Sequence, residues 1–331
     1  MNDRITLQGL MISPAFFLAP MAGITHAAFR RLVADFGGAG ALFTEMLSAK
    51  ALLHEDLGRS PYTRRREAEG IVIYQLLLAD HEQVPAVLAR LKTIAPAAID
   101  INLACPAPEI THVNAGAALF RDYDRCARVL FAARTHWRGA LTVKCRLGDN
   151  APGWEDALVK RLRLFEDAGI DAVVLHPRFF DEKLKRTARW DRFLWAAAHT
   201  RLPIVGNGDI VSRDFLDRQT EAMASIAGIM VGRMAAARPW IFRELAGATP
   251  EIDFREVWER LFRYVMEEFP PERALGRIKE FNAYYARNFF FGHQLFAPVQ
   301  SAQTCDEARA RAQTFFCGDI RTVQQPSVAG V

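Results

Sequence analysis

Several things are missing from this sequence, and each absence excludes a class of protein. Its five cysteines are odd in number and form no CxxC pair, which argues against a disulfide framework and a cysteine-rich zinc site. No metal is expected, and the setting implied is the reducing cytoplasm. No stretch supplies the roughly 18 apolar residues of a membrane span. Residues 5–29 carry no Asp, Glu, Lys or Arg and follow Arg4, so they resemble a secretory leader. Gln8, Ser13, Pro14 and Pro20 interrupt that run, however, and its end reads better as a first strand. There is no low-complexity segment, and no GxGxxG turn follows the first strand. The net charge of +4 permits an anionic partner without requiring one, because a small surplus matters only where the cations cluster.

What is present is ordinary soluble composition, 50% apolar and 24% charged. Eight short apolar runs read as strands, at 16–20, 41–45, 71–77, 97–103, 140–146, 171–176, 202–207 and 227–232. Helical stripes lie between them, such as Phe29, Leu32, Val33 and Phe36, or Trp154, Leu158, Leu162 and Phe165, with Thr25 and Asp122 placed as N-caps. Eight strands alternating with eight helices predict an α/β fold, a (β/α)8 TIM barrel, over residues 1–248. After Thr249-Pro250 the strands stop. Phe254, Val257, Trp258, Leu261, Phe262, Val265 and Phe269 mark one amphipathic helix, with others at 273–291 and 304–316. Residues 249–317 are therefore expected to form a small helical domain, and the polar stretch 318–331 a disordered tail.

Active sites of such barrels lie at the C-terminal ends of the strands. The chemistry-bearing residues there are Pro20-Met21-Ala22, Gln75, Asn102 and Cys105, Lys144 and Arg146, His176 and Arg178, Asn207-Gly208-Asp209, and Gly232-Arg233. The central stretch is Asp100-Ile101-Asn102-Leu103-Ala104-Cys105-Pro106, where a buried strand breaks into a loop carrying an amide and a thiol. Alternation sets Thr142, Lys144 and Arg146 on one strand face, and two cations aimed into a barrel mouth need an anionic partner. Glycines after the last two strands let backbone N–H groups approach an oxyanion, so a phosphate-bearing cofactor is the natural occupant. Lys144 would then stabilise negative charge developing on a ring, and Gln75 could offer a donor and an acceptor to an imide edge.

These residues resemble a known family, the flavin-dependent tRNA-dihydrouridine synthases. Ala19-Pro20-Met21-Ala22-Gly23-Ile24-Thr25 with Phe29-Arg30 is similar to the family's opening motif. Asp100-Ile101-Asn102, Cys105-Pro106, Ile110 and Gly116-Ala117 match its central signature. Thr142-Val143-Lys144, Arg146 and Gly148 follow, then His176, Arg178, Pro203 to Ile210, and Met230-Val231-Gly232-Arg233 with Pro239, all in the family's order. The likeness covers about residues 14–317, including Arg287-Asn288-Phe289 and Phe291-Gly292-His293. This chain departs from the pattern at Ala104 and Leu78, where glycine is usual, and at Pro108-Glu109, where a basic residue is common. Alanine would strain the loop if position 104 required positive φ.

The resemblance implies reduction of the C5–C6 double bond of uracil in tRNA, with FMN as cofactor and NADPH, or another NAD(P)H donor, as reductant. Hydride would pass from flavin N5 to C6, and Cys105 would protonate C5. A thiol with pKa near about 8.5 is mostly protonated at neutral pH, which suits an acid. Pro20, Met21 and Ala22 would lie against the flavin. His176, Asn207, Gly208, Asp209, Gly232 and Arg233 would take its ribityl chain and phosphate, and Lys144 its N1–C2=O region. Asn102 would hold the uracil edge, with Arg146 and Arg178 on its carbonyls or phosphate. Arg273, Arg277 and Arg287, sharing a helix face with Tyr284, would track the RNA backbone. Arg64-Arg65-Arg66 and Lys183, Lys185, Arg186 and Arg189 are further basic candidates. Cys126, Cys145, Cys305 and Cys317 read as structural. A monomer is expected. The rival readings are a flavin barrel acting on a small molecule, as in dihydroorotate dehydrogenases, and a degenerate RNA-binding flavoprotein.

Overall fold

Alternate residues of a strand point to opposite faces, and in a closed parallel barrel one face looks inward and the other toward surrounding helices. That periodicity is visible throughout the computed structural model, which describes residues 3–182 and 184–328. The eight expected strands are β1 (Phe16–Leu18), β2 (Ala41–Phe43), β3 (Val72–Leu77), β4 (Ala98–Leu103), β5 (Ala140–Arg146), β6 (Ala172–His176), β7 (Ile204–Asn207) and β8 (Gly228–Val231). Each pairs in parallel with its sequence neighbour, and β8 pairs with β1, closing a TIM barrel.

Inward-facing Phe17, Phe43, Ile73, Val174, Val205 and Met230 form one apolar cluster inside the barrel. Outward residues such as Phe16, Leu18, Val72 and Ile101 join the larger core beneath the helices. A feature unforeseen in the sequence seals the lower end. Ile5–Leu7 and Leu10–Ile12 form an antiparallel hairpin around Gln8 and Gly9, both at positive φ, and bury Ile5, Leu7 and Ile12 in the inner cluster.

The outer layer contains α1 (Ala27–Phe36), α2 (Val84–Lys92), α3 (Tyr123–His136), α4 (Trp154–Asp167), α5 (Asp191–Ala197), α6 (Arg213–Asp217) and α7 (Arg233–Ala237). Two expectations need correction. The β2–β3 connection carries no full-length helix but the short strand Leu47–Ser48, the four-residue helix Ala49–Leu52 and a long loop ending in the 3-10 turn Glu67–Glu69, because residues 53–70 include Gly58 and Pro61 and offer no apolar stripe. Buried Arg30 holds that loop instead, donating to Glu69 (2.6 Å), Thr25 O (2.8 Å) and Arg64 O (2.5 Å). The α1 cap is His26, whose ring accepts from the Phe29 N–H, whereas the Thr25 hydroxyl bonds back to Met21. Asp122 caps α3 as expected.

Beyond the barrel come α8 (Phe254–Glu268), α9 (Pro271–Tyr285), α10 (His293–Ser301) and α11 (Cys305–Phe316). The α10 helix is masked in the sequence by Pro298, which sits inside it. Buried Glu268 at the end of α8 takes both Arg64 (3.1 Å) and Arg66 (2.6 Å), so two of the three consecutive arginines bind helix to barrel rather than face a partner. Cys126, Cys145 and Cys305 are buried and Cys317 is exposed. The expected disordered tail follows a bonded path through Val328, for reasons given below, and residues 329–331 lie outside the described residues, as does Lys183. Among the described residues no helix is long and apolar enough to cross a membrane.

Candidate active site

The inward positions of β3, β4 and β5 change from apolar to polar one layer below the mouth. Register sets Gln75 opposite Asp100, Asp100 opposite Thr142, and Asn102 opposite Lys144. The resulting network runs in one direction. Asp100 accepts from Thr142 Oγ1 (2.6 Å) and from Gln75 Nε2 (2.7 Å). Gln75 Oε1 accepts from Asn102 Nδ2 (2.8 Å), and Asn102 Oδ1 accepts the backbone N–H groups of Ala104 and Cys105, both at 3.0 Å. An acceptor-only carboxylate at one end and two donors at the other leave each amide a single satisfied orientation.

This network alters two roles. The Asn102 oxygen is committed to the loop, leaving one of its N–H groups to spare, so its evident task is to fix the turn that carries Cys105. Gln75 and Asp100 are fully buried beneath the mouth rather than lining it. Ala104 does not adopt positive φ, so its methyl brings no strain. Gly116 does (φ +59°), and a Cβ there would lie 2.6 Å from Cys105 O; the bare backbone lets Ala117 N–H donate to that oxygen at 2.9 Å. Exposed Glu109 sits in the first turn of Pro108–Thr111, where an acidic residue suits the helix dipole. Cys105 itself is half-buried, and burial raises its pKa against the opposing pull of the Ala107 N–H, Lys144 and Arg146. It stays a neutral thiol at pH 7.

Beside it lies a cavity of about 700 Å³ lined by Pro20, Met21, Lys144, Arg146, His176, Arg178, Asn207, Gly208, Asp209, Gly232 and Arg233, among others. Ala22 is exposed and outside the lining. Burial, then repulsion from Arg146, lowers the Lys144 pKa to about 8, and among the described residues no carboxylate reaches ion-pair distance of its ammonium. Burial also takes the His176 pKa well below its ordinary value, with Lys144, Arg146, Arg178 and Arg233 adding to it. Its Nε2 lies 2.7 Å from Arg178 Nη1. Since a guanidinium can only donate, His176 Nε2 is the acceptor of a neutral ring whose Nδ1 carries the proton.

Arg178, expected to touch substrate, does not have the freedom. It is 2% exposed and donates twice to Asp209 (2.6 Å each), to Arg186 O (2.5 Å) and to His176. Asp209 in turn accepts from Arg233 (3.2 Å) and from Ala188 N–H (2.8 Å). The pair is thus a frame that orients His176 and Arg233 toward the cavity. Gly208 closes it at φ +133°, where a Cβ would lie 2.9 Å from Ala188 Cβ and 3.0 Å from His176 Cδ2. Lys144 without a carboxylate partner among the described residues, Arg233 with donors left over, and a bare glycine are groups whose chemistry fits an anionic, flat cofactor.

Of the arginines expected on one helix face, Arg273 and Arg287 are exposed, but α9 ends at Tyr285 and Arg287 lies in the short turn Ala286–Asn288 that follows, so they do not share one helix. Arg277 instead pairs with Glu280 (2.7 Å), donates to Tyr62 Oη (3.2 Å) and packs over Tyr62 and Phe269, tying α9 to the barrel. Arg189 pairs with Glu182 (2.5 Å), while Lys185 and Arg186 line the cavity. Sequence reasoning passes over Glu45, which continues the inward alternation of Ala41 and Phe43. It is 8% exposed, with Oε2 accepting from Gly23 N–H (2.8 Å) and Oε1 unpaired, and burial raises its pKa to about 7. The same alternation also points to Asp100.

Known proteins place this arrangement. The solved structure of morphinone reductase shares the fold, with a TM-score of 0.53 at 11% identity over 75% of this chain and 90% of that one. The chain is 32% identical over 250 residues to a probable tRNA-dihydrouridine synthase of Rhodobacter capsulatus, covering 74% of each. It is 33% identical over 260 residues to tRNA-dihydrouridine synthase B of Proteus vulgaris, covering 75% of this chain and 78% of that one. The family profile described as "Dihydrouridine synthase (Dus)" matches residues 17–289, and a chain with that match, relatives of this identity and this barrel belongs to the dihydrouridine synthase family.

Proposed function

We propose that the protein reduces the C5–C6 double bond of specific uridines in tRNA, with FMN as its flavin, NADPH as its reductant and Cys105 as the acid. The observation that carries this reading is the one-way amide network, which fixes the loop of a neutral thiol close to Lys144 and Arg146 of a cation-lined cavity, although Cys105 is not itself part of that lining. FMN, when bound, supplies the reducing equivalent to C6. Lys144, His176, Asn207, Gly208, Gly232 and Arg233 hold it, with the ammonium of Lys144 suited to negative charge on the ring and Arg233 to the phosphate. Pro20 and Met21 supply an apolar wall. Cys105 then gives its proton to C5, and the buried cations beside it stabilise the thiolate left behind. Arg146 lines the cavity on the side of the thiol-bearing loop, and it suits a uracil carbonyl or a phosphate.

Extruding a base from folded RNA requires contacts to the backbone on either side. Arg273 and Arg287 on the outer face of the 249–317 helical region supply them, and Lys185 and Arg186 extend the positive rim at the cavity. Purified protein should be yellow, release FMN on denaturation, and, after NADPH reduction, reoxidise faster with unmodified tRNA than with orotate-type small molecules, which carry the same C5–C6 double bond. Colourless protein that takes up no FMN would contradict the proposal.

A further inference from the structure

The cofactor cavity is walled on one side by the chain's own end. After α11 the backbone returns past this cavity, bonded at Arg321, Val323, Gln324 and Val328. Phe290 N–H donates to Arg321 O (3.0 Å) and Val323 N–H to Asn288 O (2.8 Å). Arg238 Nη2 donates to Val323 O (2.9 Å) and Gln324 O (2.8 Å). Finally Arg233 Nη1 donates to Val328 O (3.1 Å), and Val328 is 7% exposed. Gln325, Pro326, Ser327 and Val328 line the same cavity as Lys144 and Arg233. On its far side Val323, Gln325 and Ser327 line a second cavity of about 430 Å³ beside Phe290 and Phe296. Gln325 and Ser327 border both cavities, so the segment is a thin partition between them.

The partition walls the cofactor site without filling it. Arg233 has five N–H donors, of which one goes to Val328 O and one to Asp209. Three remain for an anion, so tail and phosphate can engage the same guanidinium together. The Val328 carbonyl is neutral and the Asp209 carboxylate is shared between Arg178 and Arg233, so one net positive charge remains. A polar composition predicts disorder here; side-chain donors from Arg233 and Arg238, which bind backbone carbonyls of any sequence, explain why the segment is held.

We propose that residues 321–328 are part of the cofactor site, a strap that closes its phosphate end and slows the escape of FMN. The inference rests on the FMN reading given above. Its test compares flavin release from full-length holoprotein, from a chain ending at Gly318, and from full-length Val328→Asp, by the FMN fluorescence recovered in filtrate after dilution. Release should quicken about tenfold in both variants, the equivalent of losing one ordinary hydrogen bond. The melting temperature of the Val328→Asp apoprotein should stay close to that of the parent, while the truncated chain, which also loses the bonds to Phe290, Asn288 and Arg238, should melt lower. Unchanged release in both variants would overturn the strap, and so would slower release, which would make the tail a competitor of the cofactor. A full-length protein that binds no FMN would overturn the cofactor reading and the strap with it.

Discussion

The direction of the amide network can be reversed by exchanging two residues. In the native order donors point from Asn102 through Gln75 to the Asp100 carboxylate. Asn102→Asp keeps an acceptor for the Ala104 and Cys105 N–H groups but opposes a second carboxylate to Gln75 Oε1. Turning the Gln75 amide only moves the conflict, because Oε1 would then face Asp100 Oδ2. In either arrangement the Asn102–Gln75 bond is lost and a buried carboxylate oxygen faces an amide oxygen with no proton between them, a cost of about 1–3 kcal/mol. Asp100 is already held at a raised pKa of about 6 by burial, so one of the two carboxyls should take up a proton near neutral pH. Asp100→Asn alone is milder, since its amide can turn toward the Thr142 hydroxyl, which both donates and accepts. In the double variant, Asp100→Asn with Asn102→Asp, the new amide at position 100 donates to Gln75. Gln75 in turn donates to the new carboxylate at position 102, and every group is paired again. Denaturant unfolding of the four apoproteins should therefore show a favourable coupling of about 2 kcal/mol. The alkylation rate of Cys105, read by peptide mass spectrometry, should rise in Asn102→Asp and return toward the parent in the double variant. Additive unfolding energies, within about 0.5 kcal/mol, would refute a directional network.

Glu45→Gln should stabilise the fold at pH 8. The carboxyl's pKa is raised to about 7 from an ordinary 4.5, so the folded protein holds a proton that the unfolded chain releases, and stability falls as pH rises between those values. The amide removes up to about 3 kcal/mol of that loss, and the gain should vanish near pH 4.5 in melts across the range. In the flavin-free protein Lys144 should titrate near pH 8, read by the pH dependence of its acylation, and FMN should shift that midpoint upward by adding negative charge beside the ammonium; a midpoint unmoved by FMN would contradict the assignment of Lys144 to the flavin. Arg178→Lys keeps the charge but not the paired contact with Asp209; it should cost about 2 kcal/mol in thermal unfolding and weaken FMN binding, because His176 and Arg233 lose their frame.

The barrel is legible because its signals are local. Eight buried strands with polar ends declare themselves through alternation, and β5 is bounded to the residue, from Ala140 to Arg146. Strand-end position also names eleven of the residues that line the cavity, from Pro20 to Arg233. What escapes depends on geometry across the fold. Nothing local distinguishes Arg178, locked to Asp209, from Arg233, which keeps donors free, and nothing near Arg64 or Arg66 announces Glu268 some 200 residues later. Asn102 stands out in the sequence but not with its true neighbours, since its partners are Gln75 and its own loop. The tail's order lies in arginines elsewhere in the chain.

Cys105 and its substrate are tested together by a map of dihydrouridine in the tRNA of a strain lacking this gene, complemented with the parent or with Cys105→Ala. Dihydrouridine should disappear from defined tRNA positions, return with the parent and stay absent with Cys105→Ala, although that variant still binds FMN. A map unchanged by the deletion, or restored by Cys105→Ala, would contradict the assignment.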